Sequence, residues 1–233
     1  MKDYIVFDLE MTGLQVKVDK IIEIGAVKVL NHQLVDTYQC LVNPRQPIPQ
    51  KVAEITGITN EMVADAMDMD QAVAGLLDFI GDLPIVGHNV SFDYSFIKQW
   101  AVNQKRDLEL PAVDTLKLAR RVLPGEQSKK LESLCTYYGI ERQNAHRALD
   151  DAMETWQIYE RLCGEMQEKK MEPVKPQVLA IKIKKQTPAT ARQIQRLKEY
   201  RQLHGLEDEI IWETLSRGQA SRLMDQYISK YGR

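Results

Sequence analysis

Hydrophobic residues in the first part of this 233-residue chain follow the pattern of β-strands. Residues 4–7 form an apolar run, and residues 20–30 and 33–42 are rich in Ile, Val, Tyr and Leu. Runs of this kind, separated by polar residues, are typical of strands. The short connection Asn31-His32 joins the second run to the third. We therefore predict three strands in an antiparallel meander.

A helical period replaces the strand pattern after this meander. Four apolar residues have the i, i+3, i+4, i+7 spacing of one helix face: Val73, Leu76, Leu77 and Ile80. Asp70 is placed to cap that helix. By the same reasoning we predict helices over 50–55, 71–80, 92–103, 116–123, 128–138 and 146–165, and short strands over 84–87 and 112–114. Strands that alternate with helices indicate an α/β fold with a mixed sheet and flanking helices.

Prolines at positions 173, 176 and 188 mark the end of this unit. We predict a domain over residues 1–168, a linker over 169–186 and a small helical module over 187–233. Within the linker, residues 179–184 alternate and predict an edge strand. The module's predicted helices run from Thr187-Pro188 to about Gly205, over 208–215 and over 219–230.

The composition is typical of a globular protein and does not favour a secreted or membrane-spanning one. The apolar fraction of 44% and the charged fraction of 27% are ordinary for a globular protein. The N-terminus has no basic-then-apolar signal peptide, and no apolar run reaches the roughly 18 residues of a membrane span. Three scattered cysteines lack a metal-type spacing and predict reduced thiols. We expect a cytoplasmic location without a membrane partner.

The end of the first strand carries candidate chemistry. Asp8 and Glu10 are two residues apart, so on a strand they leave the same face. A desolvated carboxylate pair is unfavourable without compensation, and a hard divalent cation such as Mg²⁺ or Mn²⁺ compensates it well. The alternative is that the strand frays after Phe7 and both carboxylates are solvated.

Two later segments favour the metal interpretation. Residues 85–93 run from a short strand into a helix start with Asp93, and a third segment carries His146 and Asp151. With Asp8-x-Glu10, these motifs resemble the DEDD-type 3′→5′ exonucleases whose fifth site residue is a histidine (DEDDh). The resemblance spans roughly residues 3–165. It includes Ile55-Thr56-Gly57-Ile58-Thr59, which is typical of the proofreading exonucleases of the DNA polymerase III epsilon type.

The resemblance implies a ribonuclease H-like fold and a two-metal reaction. Two Mg²⁺ or Mn²⁺ ions would be held by four carboxylates, with Asp8 shared, Glu10 and Asp151 on one ion, and Asp93 towards the other. His146 would be the general base, because imidazole accepts protons at neutral pH. The implied reaction hydrolyses the 3′-terminal phosphodiester and releases nucleoside 5′-monophosphates.

One ligand is ambiguous from periodicity. On a regular helix, Asp150 lies four residues after His146 and shares its face more closely than Asp151 does. The family spacing selects Asp151 instead, which requires His146 to lie before the regular helix. We predict Asp151 as the ligand, with Asp150 as a solvated neighbour.

Substrate contacts are also implied by the resemblance. The residues after the first motif would bind the terminal nucleotide; they are Met11, Thr12, Gly13 and Leu14. The Leu14 side chain would pack against the last base. His88 and Asn89 either line the substrate groove or form a structural turn.

The natural substrate stays open between DNA and RNA. The segments Asp-Leu-Glu-Met-Thr-Gly-Leu and His-Arg-Ala-Leu-Asp-Asp resemble oligoribonucleases, whereas Gly-His-Asn-x-x-Phe-Asp resembles the proofreading enzymes. DNA is favoured, with an RNA-trimming enzyme as the alternative and a non-catalytic docking subunit as a less favoured one. The expected partners are a single-stranded 3′ end of nucleic acid and a DNA polymerase subunit.

The last part of the chain is basic. Residues 167–233 hold 14 Lys and Arg against 8 Asp and Glu, and aromatic residues are interleaved with these cations. Such a segment either grips a single strand through phosphate contacts and stacking or uses its aromatic residues as the core of a small bundle.

Overall fold

A computed structural model describes residues 1–142, 145–208, 210–213 and 215–232 of the chain. Its strands are β1 (Tyr4–Met11), β2 (Ile21–Leu30), β3 (Gln33–Leu41), β4 (Ile85–Gly87), β5 (Pro111–Asp114) and β6 (Gln177–Val178). Its helices are α1 (Gln50–Thr56), α2 (Asn60–Val63), α3 (Met69–Ile80), α4 (Ser91–Asn103), α5 (Thr115–Val122), α6 (Leu131–Tyr138), α7 (Ala148–Glu168), α8 (Ala191–His204) and α9 (Arg217–Tyr231).

The strands form one mixed sheet in the order β3-β2-β1-β4-β5-β6. The predicted meander is confirmed, since β1, β2 and β3 pair antiparallel and meet at a tight turn in which Asn31 and His32 both have positive φ. β4 pairs parallel with β1, and β5 pairs parallel with β4. β1 therefore lies in the middle of the sheet, with a strand on each side.

Helices cover both faces of the sheet. On one face, α3 and α4 pack on Ile5, Phe7 and Leu9 of β1 in a large buried cluster. On the other face, α5, α6 and α7 pack on Tyr4 and Val6 in a second cluster. This is the predicted mixed α/β sheet with flanking helices. Within the described ranges, none of the helices combines the length and apolarity that a membrane crossing requires.

Several predicted helix boundaries are wrong in detail. Asp68, not Asp70, caps α3, because its carboxylate accepts the Gln71 N–H; Asp70 instead accepts the Trp100 indole N–H. The first module helix begins after Thr190 rather than at Thr187-Pro188. Thr190 forms a reciprocal capping box there, whereas Pro188 forms a strand-like bridge with Ser216. The linker strand is β6, just before the predicted residues 179–184.

The C-terminal module has two helices in its described residues. The predicted helix over 208–215 is absent from the described part of that segment, and Glu209 and Thr214 lie outside the described residues. α8 and α9 pack around a small core of their own, which includes Leu197, Tyr227 and the partly buried Tyr200 and Trp212. Most of the interleaved aromatic residues therefore serve as the core of this bundle, which was the second of the two alternatives.

Candidate active site

β1 presents Asp8 and Glu10 on the sheet face that α7 covers. Tyr4 and Val6 pack against α7, and strand alternation places Asp8 and Glu10 on the same face. The alternative that the strand frays after Phe7 is wrong, because β1 pairs with β2 in regular register as far as Glu10 and, after a register shift, at Met11. Both carboxylates are thus held by the central strand of the sheet.

A glycine on β2 lets α7 approach these carboxylates. Gly25 pairs directly with Asp8. A Cβ added to Gly25 would lie 2.1 Å from the backbone nitrogen of Leu149 and 2.2 Å from the carbonyl carbon of Ala148. The first turn of α7 therefore packs directly on the β2 backbone, which any larger residue at this position would prevent. This contact brings Asp151 of the same turn towards Asp8.

His146 lies just before α7, in a loop that a buried glutamate holds in place. The His146 backbone has a positive φ of 62°, which is uncommon for a residue other than glycine. The fully buried Glu23 pairs with Arg147 at 2.7 Å and accepts the Ala148 N–H at 3.0 Å. Glu23 therefore anchors the helix start and the residue next to His146.

Asp150 and Asp151 differ in their position relative to His146, and the assignment of Asp151 as the ligand stays a prediction. Because His146 precedes the regular helix, the four-residue helical spacing does not apply to it. Asp151 is buried and lies in a group with Glu10 and His146, in which one ligand atom from each residue lies within 4.8 Å of the others. Asp150 is not part of that group.

Asp93 comes from the other side of the sheet. It lies in the first turn of α4, directly after the short strand β4 that pairs with β1. Its side chain is buried, and the loss of hydration raises its pKa to about 8, although backbone N–H groups of Asp93 and Leu9 oppose the shift. Among the charged neighbours of Asp8, Asp93 has the largest effect on its pKa, which it raises.

Burial and mutual repulsion raise the pKa values of Asp8 and Glu10. Burial has the largest effect on Asp8, followed by the negative charges of Asp93, Asp151 and Glu10, and its pKa lies well above the ordinary value. Burial, then Asp151 and Glu23, raise the pKa of Glu10 to about 8. The carboxylate oxygens gathered in this way, beside one imidazole nitrogen, could hold a divalent metal ion.

Arg142 and Glu154 belong to the site but were missed from the sequence. The Arg142 guanidinium bridges the carboxylates of Asp151 and Glu154, with a separation of 2.8 Å to each. Glu154 follows Asp151 by three residues and is buried on the same face of α7. An acidic residue on a buried helix face was the signal that could have identified Glu154. Arg142 lies outside the helix, and its local sequence has no such signal.

The predicted substrate residues occupy the loop after β1 and the turn after β4. Thr12 is buried, whereas the apolar side chain of Leu14 is 79% exposed. His88 Nδ1 lies 2.9 Å from the Thr115 hydroxyl, and the N–H of Asn89 donates to Asp114 at 3.1 Å. His88 and Asn89 therefore form a turn after β4 that hydrogen bonds hold to the end of β5. Their contact with substrate stays a prediction.

Comparison with known proteins gives the family. The family model RNase_T, described as an exonuclease, matches residues 5–159. The chain belongs to this exonuclease family. The DNA polymerase III PolC-type of Clostridium perfringens is 40% identical to the exonuclease over 156 residues, covering 67% of this chain and 11% of that protein. The corresponding protein of Thermotoga maritima is 42% identical over 159 residues, covering 68% and 12%. The exonuclease thus spans a small part of these relatives' length.

Solved structures share the fold. Exonuclease X in complex with 5′ overhanging duplex DNA has a TM-score of 0.58 and 26% identity, covering 72% of the exonuclease and 94% of that chain. The nuclease domain of 3′hExo, a DEDDh family member, bound to rAMP has a TM-score of 0.62 and 20% identity, covering 76% and 98%. At that identity the second likeness supports the fold alone. The predicted ribonuclease H-like fold and the membership of an exonuclease family are confirmed.

The carboxylate cluster predicts how stability depends on pH without metal. The pKa of Glu10 rises from 4.5 to about 8 on folding, so between these values the folded state binds more protons than the unfolded state. The contribution of Glu10 to stability is complete below about pH 4.5 and is lost as the pH rises past about 8. In EDTA, the melting temperature should therefore fall across this window.

The Glu10→Gln variant is the control for this prediction. In EDTA its melting temperature, followed by calorimetry, should fall less steeply between these pH values than that of the wild type. Saturating Mg²⁺ should flatten the wild-type curve, because a bound cation stabilises the ionised cluster. Parallel curves for the two proteins in EDTA would contradict the assignment of the raised pKa to Glu10.

Proposed function

We propose that this exonuclease hydrolyses the 3′-terminal phosphodiester of nucleic acid, with DNA favoured, and releases nucleoside 5′-monophosphates. The observation that carries the proposal is the convergence of Glu10, Asp151 and His146 within 4.8 Å beside Asp8, at the end of the central strand. Asp8, Glu10, Asp93 and Asp151 would hold two divalent cations, which would supply charge stabilisation to the phosphate and the leaving oxygen. Mg²⁺ and Mn²⁺ suit this all-carboxylate set of ligands.

The protein's own groups perform the remaining tasks. His146 is exposed, so a water molecule from solvent can reach its imidazole. An imidazole nitrogen accepts the proton of that water as its oxygen attacks phosphorus, and the leaving 3′-oxygen takes a proton from solvent. Glu23 and Arg147 hold the loop that carries His146 in position.

The terminal nucleoside would bind beside this centre. Backbone N–H groups of the segment Met11, Thr12, Gly13 and Leu14 would contact the 3′-hydroxyl, except that of Thr12, which donates to the carbonyl oxygen of Lys20. The exposed Leu14 side chain would pack against the last base, which explains an apolar side chain left in solvent. His88 and Asn89 would border the groove from the turn after β4.

The relatives support DNA as the substrate. Those named above are DNA polymerases, and Exonuclease X was solved with DNA. The same relatives support a DNA polymerase as a partner, since in them the matching region is part of a longer polymerase chain. A cytoplasmic location stays a prediction.

A substrate panel tests the proposed function. Purified protein with Mg²⁺ or Mn²⁺ should degrade single-stranded DNA from the 3′ end to nucleoside 5′-monophosphates, with a higher kcat/KM than on matched RNA or on dinucleotides. A 3′-phosphate on the same strand should block degradation. Faster turnover of RNA or dinucleotides would instead support the oligoribonuclease-like alternative. The absence of hydrolysis on all three would support the docking subunit.

Removal of the shared carboxylate should abolish turnover. Asp8→Asn leaves the side-chain volume nearly unchanged but removes one negative charge, so hydrolysis should become undetectable and the Mg²⁺-induced rise in melting temperature should shrink. Asp150→Asn is the matched control, because it removes the same charge from the first turn of α7 and should keep near-wild-type activity. Equal metal-induced shifts in wild type and Asp8→Asn would show that Asp8 is not a ligand.

Replacement of His146 should slow the reaction without loss of metal. We expect His146→Ala to lower kcat by about 10²–10⁴-fold, the range for a lost general base, with little change in metal affinity. His32→Ala, which removes an exposed imidazole paired with Glu160, should leave kcat unchanged. If the metal-induced stabilisation falls as far in His146→Ala as in Asp8→Asn, His146 is a ligand rather than the base.

A further inference from the structure

The C-terminal module contacts the exonuclease domain at the loop that follows β1, residues 12–19, here called the 12–19 loop. Arg222 of α9 pairs with Asp19 at 2.9 Å, and the Asp19 side chain is only 3% exposed. The side-chain amide of Gln186 donates to the carbonyl oxygen of Lys17 at 2.6 Å. The module therefore reaches the loop whose first residues belong to the proposed substrate segment.

A chain of side-chain hydrogen bonds connects α9 with Thr12. Gln219 donates to the side-chain oxygen of Gln46 at 2.8 Å, and Gln46 donates to the Thr12 hydroxyl at 2.9 Å. Thr12 also bonds to Lys20 in both directions, through its N–H and its hydroxyl, so its position is closely defined. Gln46 lies in the exonuclease domain and thus connects α9 with the end of β1.

Asp19, the last residue of the 12–19 loop, stabilises the loop through contacts with its earlier residues. Its carboxylate accepts the Gln15 N–H at 2.8 Å, and a Cβ added to Gly13 would lie 2.6 Å from its oxygen. The Gly13 backbone therefore rests on this carboxylate. Arg222 supplies the counter-charge that a buried carboxylate needs. Without Arg222, the Asp19 carboxylate would lack its counter-charge and would gain hydration by moving out into solvent. The Gly13 backbone would then lose its packing contact with this carboxylate.

The end of the linker is fixed to the helix that carries Asp93. The side chain of Asn103 in α4 exchanges two hydrogen bonds with Gln186, and Gln99 donates to the carbonyl oxygen of Lys184. These bonds hold the end of the linker, which leads directly into the module, against α4.

We propose that Arg222 and Gln219 are positioning residues for the exonuclease reaction, which hold the 12–19 loop in the shape that binds the terminal nucleotide. The inference rests on the proposed function, because it requires the segment 11–14 to contact the substrate. It assigns the module a role in the reaction that residues 5–159, the part matched by the family model, do not include.

This role differs from a grip on the phosphate backbone. Arg222 is already paired with a buried carboxylate, so its charge is committed to the protein. A positioning residue affects every substrate that uses the terminal site, whether long or short. A phosphate contact affects long strands alone and adds to the salt dependence of binding, by a log–log slope of about 0.7 per contact for single strands.

The test compares full-length variants on a dinucleotide and a long single strand of DNA. Arg222→Ala should raise KM about tenfold on both substrates, the effect of one lost hydrogen bond between charged groups, with kcat within about twofold and an unchanged salt slope. Arg222→Lys, which keeps the charge, should recover part of the loss. Gln46→Ala, which breaks the hydrogen-bond chain from the domain side, should also raise KM. Arg196→Ala, an exposed cation of α8 without such a contact, is the matched control.

Hydrogen exchange gives an independent readout. Amides of the 12–19 loop should exchange faster in Arg222→Ala and Gln46→Ala than in the wild type or Arg196→Ala. Unchanged KM and unchanged exchange in Arg222→Ala would overturn the inference, as would a rise in KM confined to the long strand. Failure of the proposed function looks different, because the wild type itself would then not hydrolyse either substrate.

Discussion

Repulsion among carboxylates at the end of β1 is the interaction that the surrounding structure has to balance. Asp8, Glu10, Asp93 and Asp151 come from three elements and are brought together where hydration is poor. The pKa values of Asp8, Glu10 and Asp93 therefore rise rather than fall. A local peptide could not hold such a cluster, because nothing would oppose its dispersal into water. The central strand, the α7 contact at Gly25 and the first turn of α4 together supply the required rigidity.

Two arginines reduce the cost of this arrangement in different ways. Arg142 bridges Asp151 and Glu154, and thereby neutralises part of the charge on α7. Arg147 pairs with Glu23, which lies directly across the sheet from Glu10. Two glutamates opposite each other on neighbouring strands repel, and the charge of Glu23 therefore raises the pKa of Glu10, as burial does. The positive charge of Arg147 acts in the opposite direction and lowers the pKa of Glu10. Both cations surround the cluster without entering the group formed by Glu10, His146 and Asp151.

The sequence predicted those features that depend on local spacing. Asp8 and Glu10 followed from strand alternation, and the meander followed from its apolar runs. His146 and Asp151 followed from the family motif, since periodicity alone favoured Asp150. Arg142 and the Arg222–Asp19 pair could not be predicted, because they join residues whose proximity only the complete fold creates. The start of α8 was misplaced because two threonines three residues apart are equally good caps locally, and the bridge of Pro188 to Ser216 decides between them.

Glu23 ties the integrity of a helix end to the position of the proposed base. The same carboxylate caps Ala148 and pairs with Arg147, so fraying of the first turn of α7 and displacement of His146 are one event. Helix ends open at a lower free-energy cost than the whole domain unfolds. On warming, we therefore expect a reversible loss of activity at temperatures at which most of the core is still folded. We therefore expect the working temperature range of this exonuclease to depend on one turn of helix rather than on the sheet beneath it.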